Sequence, residues 1–340
     1  MVLPRIAIAL GDPAGIGPEI AIKAALDLKV RSICVPLLVG DLRSAQLHAQ
    51  ACGIDVRFDP TDGGGASAAP SGTSIAVLHQ DLQGDRVKLG EVCALHGSAA
   101  VGAARAAIQA ALDGRVHAVV ACPQNELAIK QAGIEFDGYP TFVAKCTRTS
   151  ADDVFLMICF DDKRIVHLTL HVSLRRAIEL VTTGRVLHAI GVTAETLSRL
   201  GVAEPRIAVS GLNPHAGEHG LFGSEDAEVI LPAVERARGR GIRVDGPFGA
   251  DVLIDRPGYD AFLVMFHDQG HIAAKLLAPR RTAGLTIGTP VLFSSVAHGT
   301  ALDIAGKNQA SPAAVIEAIE RLAHAAGDRA PSAAPVRLPS

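Results

Sequence analysis

Residues 261–279, AFLVMFHDQGHIAAKLLAP, set two histidines, an aspartate and a lysine at the end of an apolar run. His267 and His271 lie four apart. On one face of a helix that spacing can clamp a metal ion, whereas at a strand-to-loop junction only one of the pair need face the chemistry. FLVMF reads as strand and HDQG as a turn carrying Gly270, which makes His267 the expected ligand and turns His271 elsewhere. Two more of the 13 histidines share this context: His171 follows RIVHLTL and His215 follows RIAVSGLNP. Three neutral imidazoles from separate loops can hold one divalent ion and leave positions open for substrate. The alternative is three unrelated loop histidines. His167, inside its apolar run, reads as a core or supporting group. Lys275 can hold a carboxylate or assist proton transfer, or it is an ordinary solvated lysine; Asp268, adjacent to His267, is the second candidate catalytic group.

Such residues need strands to deliver them. RIAIAL (5–10) reads as a buried first strand, GDPAGIGPE (11–19) as a turn entering a helix with Pro18 near its start, and SICVPLLVG (32–40) as the next strand. An Ala-rich helix over 97–112 leads to the strand HAVVACP (117–123). DVFLMICF and RIVHLTL, joined by DDK, read as a hairpin. RIAVSGLNPHAGE (206–218) and DAFLVMFHDQG (260–270) are strands running into loops, 285–296 is β-rich, and the last helix spans about 310–327. Alternating strands and helices predict mainly parallel sheets, whose sites lie beyond the carboxyl ends of strands. TDGGGASAAPSGTS (61–74) reads as a surface loop, and 328–340 as a disordered tail.

The 340 residues carry a formal charge of −3, which gives no sign of a polyanion partner and argues against nucleic acid. Hydrophobic residues make up 49% and aromatics 4%, with no Trp and 34 glycines, a composition suited to helices packed on parallel sheets in two lobes. Six scattered cysteines without a CxxC pair suit a reduced, cytoplasmic protein, and Cys122 reads as a small buried hydrophobe rather than a reactive thiol. No apolar run is long enough to predict a membrane span.

GDPAGIGPE contains G-x-G without the full dinucleotide fingerprint, so a Rossmann assignment from it is weak. AHGTALDIAGKNQASP (297–312) resembles the adenosine-binding loop of the isocitrate and isopropylmalate dehydrogenases, which also carry an N-terminal GDGIGPE. With NPHAGE and HDQG, these motifs resemble the 4-hydroxythreonine-4-phosphate dehydrogenase family of pyridoxine synthesis over about residues 5–325. The resemblance implies two α/β/α lobes of the isocitrate/isopropylmalate dehydrogenase type with an inter-lobe cleft: 1–140 plus 290–327 carrying the cofactor loop, and 141–289 carrying the metal ligands. It implies a homodimer with shared active sites. A divalent metal, zinc first with iron or magnesium as alternatives, falls on His171, His215 and His267. Substrate binding falls on Lys275. The NAD loop maps onto His298, Gly299, Thr300, Asp303, Gly306 and Asn308.

The departures from that family fall where its members hold phosphate. Their GHTE is here GYPT, giving Tyr139 and Pro140; a Lys becomes Glu126, an Asn becomes Gly284 and an Arg becomes Phe293. Losing these groups removes charge-assisted bonds to a phosphate, and Tyr139 with Phe293 suits a flatter, more apolar substrate. The stretches ACPQNELAIKQAGIEFDGYP, RIVHLTLHVSLR and HDQGHIAAKLLAP are similar to the terephthalate cis-dihydrodiol dehydrogenase branch. That branch oxidises 1,2-dihydroxy-3,5-cyclohexadiene-1,4-dicarboxylate to protocatechuate, CO₂ and NADH. Arg280 or Arg281 is a further candidate to hold a carboxylate. The alternatives are a dehydrogenase for a phosphorylated hydroxy acid and an inactive metal- or metabolite-binding relative.

Overall fold

The computed structural model describes residues 3–63, 72–82, 87–278 and 282–326. In chain order the strands are β1 (Arg5–Ala9), β2 (Val35–Gly40), β3 (Arg57–Thr61), β4 (Ser74–His79), β5 (Ala118–Ala121), β6 (Phe155–Phe160), β7 (Lys163–His167), β8 (Arg206–Ser210), β9 (Arg243–Phe248), β10 (Ala261–Val264), β11 (Ala283–Ile287) and β12 (Leu292–Val296). The chain forms two compact units: one ends at Arg148 and resumes at Pro290, and the other is Thr149–Thr289. Among the described residues no helix is long and apolar enough to cross a membrane.

In the first unit the strand order is β3-β4-β2-β1-β5-β12, and every pair is parallel. β1 and β5 are buried on both faces, as continuous Ala/Val/Ile runs require. The Ala-rich helix Ala94–Leu112 lies on this sheet, three residues longer at its start than its sequence suggested. Gly97 lets it approach the helix Glu126–Gln131 closely: a Cβ there would stand 2.2 Å from the Ala128 carbonyl carbon.

The second unit is ordered β11-β6-β7-β10-β8-β9. β6 pairs antiparallel with both β7 and β11, so the expected hairpin is present; β7, β10, β8 and β9 run parallel. The helix Thr183–Arg199 buries Val186, Ala189, Ile190, Thr193, Thr196 and Leu197, one face at helical spacing, and Thr182 caps it by accepting from the Arg185 N–H at 3.2 Å.

HDQG is not a turn. The helix His267–Leu277 begins on it, with Phe266 at the cap position. In place of a capping Ser or Asp, Gln269 reaches back and its Oε1 accepts from the N–H groups of Met265 (2.8 Å) and Phe266 (3.4 Å). Most of the loop over 61–74, the tail 328–340, and Arg280 and Arg281 lie outside the described residues.

Candidate active site

The three histidines leave the carboxyl ends of three neighbouring parallel strands. β7 pairs with β10 in register Val264↔His167, and β10 pairs with β8 as Leu263↔Val209. His171 follows the end of β7, His267 that of β10 and His215 that of β8, all on one edge of the second unit's sheet. Thr169 ties the first two exits by donating to the Met265 carbonyl at 2.9 Å. Gln269 ties the last two by donating from Nε2 to the Gly211 carbonyl at 3.1 Å.

His171 and His267 have ring centroids 5.8 Å apart. Two imidazoles on one zinc, each with Zn–N of ~2.1 Å, stand roughly 5–6 Å apart centre to centre, so this spacing fits a shared ion. Nδ1 of His267 lies 2.7 Å from Oδ1 of Asp268, a carboxylate that can only accept, so Nδ1–H donates to it and Nε2 is the ring nitrogen turned to a metal. Asp268 is exposed, so the pair adds little stability; its effect is on ring orientation. The donor chemistry and tautomer therefore suit a divalent ion.

His215 sits on an unusual backbone. His215, Ala216, Gly217, Glu218 and His219 all have positive φ, between 40° and 81°. For side chains with a Cβ this left-handed region is strained by about 1–2 kcal/mol per residue. Asp226, 1% exposed, anchors the segment by accepting from the N–H groups of Leu212 (2.7 Å) and Asn213 (3.0 Å). The ring of His215 packs at 6.1 Å from Phe222. Among the described residues it does not join His171 and His267 in a triad with ligand atoms within 4.8 Å of one another.

His271 does not point elsewhere. It stacks on His267 with centroids 3.7 Å apart and 10° between planes. Its Nδ1 lies 3.1 Å from Nε2 of His167. Burial is the main cause that keeps both rings neutral, pushing His167 down to about 3 and His271 to about 4. Lys275 is exposed, two turns after His267 on the same helix.

The distance test is met instead by Asp41, His79 and Asp81 in the first unit. Those groups are already engaged. Asp41 Oδ1 accepts from Ser44 N (2.8 Å) and Oδ2 from Leu82 N (3.2 Å), and His79 Nδ1 accepts from Leu42 N (3.1 Å). Arg43 bridges the carboxylates of Asp41 (3.4 Å) and Asp81 (2.9 Å), placing a cation where an ion would sit. The cluster is a helix cap with an ion pair.

The loop residues expected to bind the cofactor belong to the first unit. The loop is held by GDPAGIGPE: Ile16 N donates to the Thr300 carbonyl at 2.9 Å, and buried Glu19 accepts from Ala310 N at 3.0 Å. Its glycines serve close packing, since a Cβ on Gly17 would lie 2.2 Å from the Leu10 carbonyl oxygen. Thr300 is buried at 7%, whereas His298, Asp303 and Asn308 are exposed, and the space above Gly299 is open. Exposed polar groups around an open glycine suit a ribose. Gly306 and Asn308, at φ 71° and 60°, turn the chain back.

Tyr139 and Phe293 do meet, with centroids 4.9 Å apart. Phe293 is 1% exposed on β12, inside the core with Val101, Ala104 and Val119, so it is a core side chain and not the pocket wall expected of it. Tyr139 donates to the Cys122 carbonyl at 3.4 Å, and burial raises its hydroxyl pKa. Cys122 is fully buried and its thiol is pushed up by desolvation, which excludes a reactive thiolate. Sequence reading missed Asp226 and Gln269, whose partners are backbone groups.

Comparison with known proteins matches residues 32–322 to the family model "Pyridoxal phosphate biosynthetic protein PdxA". The chain is 41% identical over 320 residues to a Comamonas sp. 1,2-dihydroxy-3,5-cyclohexadiene-1,4-dicarboxylate dehydrogenase, covering 94% of this chain and 96% of that one. It is 38% identical over 319 residues to a Clostridium botulinum protein described as a D-threonate 4-phosphate dehydrogenase, covering 93% and 95%. Among solved structures, a 4-hydroxythreonine-4-phosphate dehydrogenase from Klebsiella pneumoniae superposes with TM-score 0.84 at 35% identity, covering 95% and 99%. A terephthalate 1,2-cis-dihydrodiol dehydrogenase from Burkholderia xenovorans LB400 gives 0.72 at 39%, covering 95% and 98%. A β-decarboxylating dehydrogenase from Thermococcus kodakarensis, at 16% identity, TM-score 0.51 and coverage of 96% and 84%, shares the fold alone. The chain belongs to the PdxA family of dehydrogenases.

Proposed function

We propose that this dehydrogenase acts with NAD and a divalent metal on 1,2-dihydroxy-3,5-cyclohexadiene-1,4-dicarboxylate, giving protocatechuate, CO₂ and NADH. The observation that carries the reading is the loss of phosphate-holding groups. Glu126, Pro140 and Gly284 stand where the resemblance puts a Lys, a Thr and an Asn, while Phe293, where it puts an Arg, is a core side chain and adds nothing to this argument. The 41% identity to the Comamonas enzyme points the same way. The similar identity to the D-threonate 4-phosphate relative keeps a phosphorylated hydroxy acid as the second reading.

The chain's own part is to hold and orient. Asp268 fixes the His267 ring, and His171 stands at the spacing for the same ion. Lys275 offers its ammonium to a carboxylate of the substrate, and Asp303 offers its carboxylate to the ribose hydroxyls. When bound, the metal supplies a Lewis acid for the oxygen that becomes a carbonyl, and NAD accepts the hydride. Exposed Val172, Leu174, Phe222, Ile272 and Leu276 lie close in sequence to the three histidines. Apolar side chains in these positions support a homodimer whose partner completes the ligand set.

The deciding measurement is kcat/KM of the purified protein, with zinc and NAD, on the cyclic diol dicarboxylate and on the two phosphorylated acids. The reading requires the diol to exceed both by about a hundredfold or more, which is what losing two charge-assisted contacts implies. Equal or better use of a phosphorylated acid overturns it.

A further inference from the structure

We propose that His271, fixed in place by His167, is a positioning residue that holds the ring plane of the metal ligand His267. The inference rests on the reading of His267 as a ligand.

The hydrogen-bond directions are set from the core outward. Nδ1 of His167 lies 3.3 Å from the Leu156 carbonyl, which can only accept, so Nδ1 carries the proton. Nε2 of His167 is then an acceptor, and Nδ1 of His271 donates to it across 3.1 Å. The same Nδ1 is 3.3 Å from the His267 carbonyl. His167 is fully buried at the end of β7, so the rotamer of His271 is tied to a fixed point. The backbone is shaped for this contact: a Cβ on Gly270 would come within 2.3 Å of His167 Nε2 and 2.8 Å of the Ile165 side chain.

The stack decides between clamp and brace. With planes 10° apart and centroids 3.7 Å apart, an ion in the plane of one imidazole lies well out of the plane of the other. The two rings therefore cannot share an ion, although i,i+4 spacing on a helix suits such a pair. What His271 does supply is a flat wall. The terminal torsion of a histidine is broad, so an unsupported His267 could sweep its Nε2 through a wide arc. Asp268 restrains one edge of the ring and His271 covers one face. Removing a group that orients a metal-binding histidine typically weakens the metal about 10- to 100-fold.

The test is zinc affinity of metal-depleted protein by competition with a chromophoric chelator, with thermal unfolding of the metal-free protein in parallel. His271→Phe keeps the ring and loses the donor to His167. His271→Asn keeps a donor and loses the ring. The brace requires the Asn variant to bind the same number of zinc ions at least about tenfold more weakly. It requires the Phe variant, which keeps the stacked ring but loses the bond to His167, to bind zinc with an affinity between those of the Asn variant and the unmodified protein while unfolding at a lower temperature. A Phe variant as weak as the Asn variant, or an Asn variant of unchanged affinity, overturns the brace alone. Complete loss of zinc stoichiometry in both variants makes His271 a ligand and also overturns it. An unmodified protein that binds no zinc overturns the metal reading, and the brace with it.

Discussion

A Cβ added to Gly15 would stand 2.7 Å from Cβ of Thr300, so the first glycine motif and the 297–312 loop are in direct contact across most of the chain length. Gly15→Val must displace the loop. The expected outcome is a KM for NAD raised about tenfold or more with zinc content unchanged. If Asp303 lies beside the ribose as proposed, its carboxylate repels a 2′-phosphate, and kcat/KM with NAD should exceed that with NADP. Equal efficiency with NADP removes Asp303 from that role.

His215 depends on its anchor. Asp226→Ala leaves the N–H groups of Leu212 and Asn213 without their buried acceptor, at about 1–3 kcal/mol each. The left-handed turn then relaxes. Zinc content should fall nearly as far in Asp226→Ala as in His215→Ala, as measured by elemental analysis after dialysis. Full retention in His215→Ala refutes its assignment as a ligand.

Phe293 tests the difference between a core and a pocket side chain. Truncation of a buried phenylalanine costs about 3–5 kcal/mol, so Phe293→Ala should lower the unfolding free energy by that amount. Phe293→Arg buries a cation and should give little soluble protein. A soluble, stable Phe293→Arg enzyme with altered substrate choice would restore Phe293 to the binding site.

Buried imidazoles, among them His48 and His167, set a pH dependence. His48, lowered chiefly by burial, and His167, near 3, are neutral in the folded chain. Unfolded, each titrates near ~6.5. Below that value the unfolded chain binds more protons, so stability is complete above about pH 6.5 and declines as pH falls toward the folded values. The metal-free protein should melt at a lower temperature at pH 5 than at pH 7. His48→Gln, whose amide can still donate to the Pro13 carbonyl, should flatten part of that slope.

If the exposed apolar side chains near the histidines are a dimer surface, Leu276→Glu should break it. Light scattering should show a monomer with zinc affinity sharply reduced. A monomeric unmodified protein with full zinc affinity contradicts the shared site.

Much of the fold was legible because its signals are local. The apolar run RIAIAL, the alanines of 97–112 and the DDK connection each specify an element without help from distant residues. The positions of the three histidines just past strands were legible for the same reason. The helix starting at His267 was not, because Phe266 gives no capping signal and Gly270 reads as a turn former. Only the folded chain shows that Gln269 caps it and that Gly270 is small for the sake of His167. The contact between His167 and His271 spans 104 residues, and no spacing rule reaches that far. Phe293 was misplaced because a motif gives a position in sequence but not its depth in a sheet.

The second unit interrupts the first. β12 lies beside β5 at the end of the first unit's parallel sheet, yet it and the helix Ala313–Ala326 come after all of Thr149–Thr289. On the ribosome, β1 to β5 emerge early, with the flank of β5 open and its helix cover incomplete. The inserted unit is contiguous and can fold as soon as it is made, whereas the first must wait for almost the last segment translated. The first unit is therefore expected to mature after the second. Truncation shortly before Leu292 should yield a nascent chain with a folded second unit and an aggregation-prone remainder.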